Sequence, residues 1–222
     1  MKYILIDLDG TLLDFNKGEK YSFIDTIKEF TSYTPNDNDC LKFSEINEYY
    51  FNQYRIGNMD RPKFHELRFL KIKEYLKLDF NILEANAFYI NKLKYASYLY
   101  DDVKDNLKYL SKKYDLYVAS NGMGSVQRKR IEEISKYFKG CFISEEVGAN
   151  KPDIEFFEYV FKELNDYEKD NYLIIGDRLD TDILGGMNAK IKSLFLNRDN
   201  LKISDIVPDY EIKSLDEIKK IL

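Results

Sequence analysis

Tyr3-Ile4-Leu5-Ile6-Asp7-Leu8-Asp9-Gly10-Thr11 is the stretch on which the reading of this chain turns. An apolar run of this length, closed by a glycine, spells a short buried strand that ends in a turn. The carboxylates of Asp7 and Asp9 then stand one residue apart at the strand's carboxyl end. In open α/β sheets that edge is where ligands bind. Neighbouring carboxylates repel one another, so the pair calls for a partner, either a divalent metal or a shared proton.

Outward from this stretch the chain changes rhythm twice. Between Phe15 and Tyr98 the pattern is helical. Phe23, Ile24, Ile27 and Phe30 line one face of a helix spanning 21–33, which Thr34-Pro35 and the turn cluster 36–39 bring to an end. Further helices are expected over 41–56, with Gly57-Asn58 as the stop, and over 61–78 and 82–98. From Asp101 onward, strands over 116–119, 141–143, 172–175, 192–196 and 210–212 alternate with helices over 103–114, 125–138, 154–164 and 181–189 and from Leu215. Such alternation implies βαβ units and a parallel sheet. The first strand belongs to that sheet. The predicted fold is therefore α/β: a Rossmann-like, doubly wound parallel core of residues 1–14 and 99–222, with an α-helical cap of residues 15–98 inserted into it. Linkers near Phe15 and Tyr98 would let the cap open and close over the carboxylates.

The chain has 222 residues, 44% hydrophobic and 33% charged, which suits a soluble globular protein with a full core. Its 34 basic and 39 acidic residues give a net charge of -5, which argues against a nucleic-acid surface but not against small anionic substrates. Cys40 and Cys141 show no metal-ligand spacing and suit thiols in a reducing compartment. No apolar stretch approaches the ~20 residues that span a bilayer, and the N-terminus is unlike a signal peptide. The expectation is a cytoplasmic protein with no membrane or nucleic-acid partner. His65, the single histidine, lies in a helical segment and reads as a surface or packing residue.

Four signals fall in loops that a parallel sheet would bring to one edge: Asp7-x-Asp9-Gly10-Thr11, Ser120-Asn121-Gly122, Lys151-Pro152, and Gly176-Asp177 with Asp180 and Asp182. Taken in this order, with a helical insertion between the first and second, they resemble the haloacid dehalogenase superfamily of phosphatases. Gln127 and Arg130 after the second motif, Ile143 to Gly148 leading to Lys151, and the tail from Ser204 onward are similar to the bacterial pyrimidine and non-canonical nucleoside 5'-monophosphatases.

The resemblance implies a Mg²⁺-dependent phosphomonoesterase working through an aspartyl-phosphate. Asp7 would be the nucleophile, already ionised at neutral pH. Asp9 would protonate the leaving oxygen and then activate water. Asp7, Asp177 and the Asp9 backbone carbonyl would hold the metal, with Asp182 behind them acting on a bound water or on Lys151. Ser120, Asn121 and Thr11 would contact phosphate, and Lys151 would add positive charge where negative charge gathers. Asp180 reads as a helix-capping acid outside the site. In the cap, Arg68 is the candidate substrate contact. The substrate would be a small phosphorylated metabolite, a pyrimidine or non-canonical nucleoside 5'-monophosphate; a sugar-phosphate phosphatase or a β-phosphoglucomutase-like phosphomutase is the alternative. A response-regulator phosphoacceptor would be shorter, without an inserted cap. A non-catalytic binding module would have no use for this full set of polar residues.

Overall fold

The run Tyr3–Ile6 forms β1, buried at every position, in a computed structural model that describes residues 1–202 and 205–222. Helices α1 (Phe15–Phe30), α2 (Asp37–Arg55), α3 (Arg61–Leu76) and α4 (Ile82–Tyr95) follow it. After α5 (Val103–Leu110) come β2 (Asp115–Ser120), α6 (Gly124–Arg130), β3 (Gly140–Ile143), α7 (Ser144–Val147) and α8 (Ile154–Glu163). Then come β4 (Tyr172–Gly176), α9 (Leu184–Ala189), β5 (Lys192–Leu196) and β6 (Tyr210–Ile212), with a closing 3-10 turn at Leu215–Lys220. Ser204, the start of the tail used in the resemblance, lies outside the described residues.

Among the described residues the strands make one sheet in the order β3-β2-β1-β4-β5-β6, with every pairing parallel. Ile6 stands opposite Val118 on one side and Ile175 on the other. The chain winds outward from β1 in one direction and from β4 in the other, so the boundary between them is the switch point where the carboxyl ends of α/β sheets leave a crevice. Alternate residues face opposite sides. Ile4, Ile6, Val118 and Ile175 join a core with Val103, Leu107 and Leu110 of α5 and with Leu215 and Ile218. Tyr3, Leu5, Tyr172 and Ile174 pack with Phe156, Phe157, Val160 and Phe161 of α8. Helices cover both faces, as in a doubly wound sheet. The fold is the Rossmann-like parallel architecture expected from the sequence.

The chain divides into two compact units, residues 1–14 with 99–222, and residues 15–98. The second unit is helical, with its own core around Phe23, Phe43, Phe69, Ile72 and Tyr89. Its helices begin where short polar side chains supply caps. Asn36 and Asp39 form a reciprocal capping box on α2, and the Asp60 and Asn81 side chains accept from backbone N–H groups at the starts of α3 and α4. In this unit the boundaries that differ most from the sequence expectation are the starts of two helices: α1 starts at Phe15, not Tyr21, and α2 at Asp37, not Leu41. Gly18 is buried in its second turn, where a Cβ would stand 3.3 Å from the Ala96 Cβ. Close packing on α4's end recovers what glycine costs in a helix. Among the described residues no helix is long and apolar enough to cross a membrane.

Candidate active site

β1 delivers Asp7 to the switch point, where its backbone N–H donates to the Ile175 carbonyl of β4 (2.8 Å). Gly10 turns the chain at φ +84°, and the Thr11 hydroxyl donates to Asp177 Oδ1 (3.0 Å). A Cβ at position 10 would sit 2.1 Å from Asp177 Oδ2, so only glycine lets the two loops approach this closely. Asp177 follows β4 directly. Beyond it a single wide π turn, Leu179–Ile183, carries Asp182 back beneath the sheet edge. Asp182 is fully buried, its Oδ2 accepting from the Arg178 backbone N–H (3.2 Å). Irregular turns of this kind recur at functional sites.

Lys151 joins these elements. It is only 1% exposed, and its ammonium makes three hydrogen bonds: to Asp7 Oδ1 (2.7 Å), Asp182 Oδ1 (2.6 Å) and the Ala119 carbonyl (2.6 Å). Its backbone is pinned by Asn121, whose side chain accepts from Lys151 N and donates to Lys151 O, both at 2.8 Å. Burial alone would lower the lysine's pKa, but the Asp182 and Asp7 carboxylates more than offset it and hold the group firmly as ammonium.

The carboxylates outnumber that cation. Asp7 is raised to about 7 in net: burial pushes it up most, Lys151 pulls it down, and Asp182 and Asp9 push it up. Asp177 is raised well above its ordinary value by burial and by the charges of Asp7 and Asp182. Asp7, Asp177 and Asp182 each offer an oxygen, and these lie within 4.8 Å of one another. The donors are all hard oxygens in a pocket short of positive charge, which fits a divalent cation of the Mg²⁺ type.

Asp9 points elsewhere. Its carboxylate accepts from Gln127 Nε2 (2.7 Å) and is paired with the Arg130 guanidinium, both on α6. Gln127 Nε2 also donates to Ser120 Oγ (2.8 Å), and Arg130 to Gln127 Oε1 (3.1 Å). The structure thus brings Asp7, Lys151, Asp177, Asp182, Thr11, Ser120, Asn121 and Asp9 to one sheet edge. Several carry contacts that the sequence did not suggest. Thr11, assigned to phosphate by resemblance, is buried with its hydroxyl on Asp177. Asp180, read as a helix-capping acid, stands in the first turn of Leu179–Ile183 and accepts two bonds from the Arg178 guanidinium (3.1 and 3.2 Å). Gln127 and Arg130 had marked the resemblance but had no role. Their spacing of three on a helix was the one available sign that they act together.

In the helical unit, Arg68 is 4% exposed, donates to Asn47 Oδ1 (3.0 Å) and Asn86 Oδ1 (2.7 Å), and lies over the Phe64 and Tyr89 rings. Asn47 in turn donates to Glu19 Oε1 (2.7 Å). His65 packs beside Phe64, and burial, then the charges of Arg68 and Arg61, lower it to about 3. Burial raises Glu19 to about 7 from 4.5, against its hydrogen bonds from Ser44 and Asn47 and the charge of Arg68. A carboxyl raised in the folded state stabilises fully below its unfolded pKa, and that contribution is lost as pH rises through the folded value. His65, lowered, works in the opposite sense, its contribution fading as pH falls below its unfolded value. The Glu19→Gln variant isolates the first term. Urea unfolding should show this variant gaining on the parent between about pH 5 and pH 8 by up to about 3 kcal/mol. A constant difference across that range would show that Glu19 does not titrate.

A family model described as haloacid dehalogenase-like hydrolase matches residues 4–196. The HAD-hydrolase YfnB of Bacillus subtilis is 32% identical over 99% of this chain and 94% of its own length. The pyrimidine 5'-nucleotidases PynA of Streptococcus pneumoniae and YjjG of Escherichia coli are 28% and 27% identical, over 98% and 99% of this chain and 93% and 97% of theirs. A crystal structure of YfnB bound to magnesium, described as revealing interdomain movement, superposes with a TM-score of 0.92 at 28% identity, covering 100% of this chain and 98% of that one. With its parallel sheet and the polar residues gathered at the β1/β4 switch point, this chain belongs to the haloacid dehalogenase-like hydrolase family and is an enzyme of the hydrolase class.

Proposed function

We propose that the chain is a Mg²⁺-dependent phosphatase of pyrimidine nucleoside 5'-monophosphates that works through an aspartyl-phosphate on Asp7. The observation that carries this reading is the buried Asp7–Lys151–Asp182 linkage with Asp177 beside it, short of positive charge at the ligand-binding edge of the sheet. Asp7 and Asp177, with the Asp9 backbone carbonyl, would hold the ion; Asp182 is committed to Lys151. Mg²⁺ bound there would offset the repulsion between the Asp7 carboxylate and an incoming phosphate.

The protein's own groups carry the steps. An Asp7 carboxylate oxygen attacks phosphorus, and the bond from phosphorus to the leaving oxygen breaks while Asp9 gives that oxygen a proton. Asp9 then takes a proton from water as the water attacks the phosphorus, releasing phosphate and restoring Asp7. Lys151 and Ser120 stabilise the charge that gathers on the phosphoryl oxygens. Displacement of a halide would use Asp9 only as the base for water, because a halide departs without a proton, so phosphoryl transfer makes fuller use of this site. The nucleotide preference rests on the pyrimidine 5'-nucleotidases PynA and YjjG, aligned over nearly the whole chain. Residues 15–98 would serve as the cap that selects the substrate.

Phosphate release from UMP, dUMP, dTMP, purine monophosphates and sugar phosphates, with Mg²⁺ and with EDTA, tests this reading. Release should favour the pyrimidine nucleotides, stop with EDTA and return with added Mg²⁺. Mg²⁺ at about 100 times its Kd should also stabilise the fold by about 2.7 kcal/mol, read as a rise in Tm. Preference for sugar phosphates would overturn the substrate assignment, and no release from any monoester would overturn the phosphatase reading.

A further inference from the structure

We propose that Gln127 and Arg130 are positioning residues for the Asp9 carboxylate, so that α6 sets where the proton donor stands; this rests on the phosphatase reading above. Asp9 sits in the turn after β1, and delivering a proton to one particular oxygen requires its carboxylate to be held in place. Both of its carboxylate oxygens are engaged by side chains of α6: Arg130 pairs with Oδ1 and Gln127 donates to Oδ2 at 2.7 Å. Both are deeply buried, Gln127 3% and Arg130 2% exposed, where a long polar side chain is costly unless it has a task.

The two brace each other, Arg130 Nη1 donating to Gln127 Oε1 (3.1 Å). Gln127 Nε2 reaches Ser120 Oγ as well (2.8 Å), so the proposed proton donor and a proposed phosphate contact share one amide. The helix itself is fixed from its far side. Glu145 of α7 accepts from the Gly124 N–H at the start of α6 (2.8 Å), and Glu146 pairs bidentately with Arg128 (3.0 and 2.6 Å). The Ser144–Val147 segment therefore acts as the buttress of α6. Its place in the reaction is indirect: it holds the helix that holds the acid.

A group that aims a proton matters only when the leaving oxygen needs one, and this separates positioning from general support of the fold. The test compares kcat/KM for UMP, whose alkoxide must be protonated, with 2,4-dinitrophenyl phosphate, whose phenolate leaves unaided. Both reactions are followed with Mg²⁺ in the full-length protein. The variants are Gln127→Met, Arg130→Met and the conservative Arg130→Lys, with Asp9→Asn alongside. Asp9→Asn should lose about 10²–10⁴-fold on UMP and far less on the dinitrophenyl ester. Gln127→Met and Arg130→Met should show the same pattern with a loss of about 10-fold or more on UMP, and Arg130→Lys should recover part of it. Equal losses on both substrates, or none on either, would overturn the positioning role while Asp9→Asn still shows the split. Absence of the split in Asp9→Asn itself would instead overturn the reading of Asp9 as the acid. Should Arg130→Met fail to fold, Gln127→Met carries the same comparison alone.

Discussion

Asp7→Asn is expected to leave a folded protein whose turnover on its best phosphomonoester falls by about 10⁴-fold or more. The amide matches the carboxylate in shape but cannot attack phosphorus, and no second carboxylate takes its place: Asp182 is committed to Lys151 and Asp9 to α6. Stability should hold. Burial already works against ionised Asp7, pushing it up to about 7, and a neutral amide avoids that cost. Lys151 keeps its bonds to Asp182 and the Ala119 carbonyl. Denaturant unfolding should therefore place the variant within about 1 kcal/mol of the parent. Parent-like turnover in Asp7→Asn would end the nucleophile assignment.

Lys151→Met is expected to damage both activity and fold. Removing the ammonium leaves Asp7 and Asp182 facing each other in a buried site with Asp177 close by. Breaking a buried pair at one partner costs about 3–5 kcal/mol, because the remaining charge is uncompensated. Loss of charge stabilisation at the phosphoryl group should lower kcat by a further factor of about 10²–10³. The sign of the pH effect follows from the carboxylates. Without Lys151 the folded-state value of Asp7, already raised, rises further, so the penalty is largest at high pH and shrinks as pH falls and Asp7 takes up a proton. Adding Asp182→Asn to Lys151→Met should recover much of the stability and none of the activity. Melting curves across pH, with activity assays on the same samples, separate the two effects. A Lys151→Met protein as stable as the parent at high pH would contradict the charge arrangement described here.

The parts of this account that were legible in the sequence are those that depend on local pattern. Tyr3–Ile6, Lys192–Leu196 and Tyr210–Ile212 lie where their apolar runs and flanking turns put them. Four loops at the carboxyl ends of parallel strands followed from that pattern. Where packing at a distance decided the outcome, the sequence was silent or misleading. The apolar pattern places the first cap helix over 21–33, yet α1 begins at Phe15, with Gly18 buried against Ala96. The stretch 125–138 reads as one helix, yet α6 stops at Arg130 and a turn lets Ile131 and Ile134 both enter the core beside β2. Asp180 stands in a first turn as its context suggests, but its pairing with Arg178 is not foreseen from that context. Gln127 and Arg130 reach an aspartate more than a hundred residues away in the chain, and Thr11 reaches Asp177; only the fold reveals such partners.

The most direct test of the central claim is to catch the intermediate on Asp7. The Asp9→Asn variant, in which release of the phosphoryl group by water should be slow, is mixed with Mg²⁺ and 2,4-dinitrophenyl phosphate and quenched with borohydride, which reduces an acyl phosphate to the alcohol. Mass spectrometry of the peptide carrying residues 3–11 should then find homoserine at position 7. Homoserine at any other aspartate, or none while dinitrophenol is still released, would contradict an aspartyl-phosphate on Asp7.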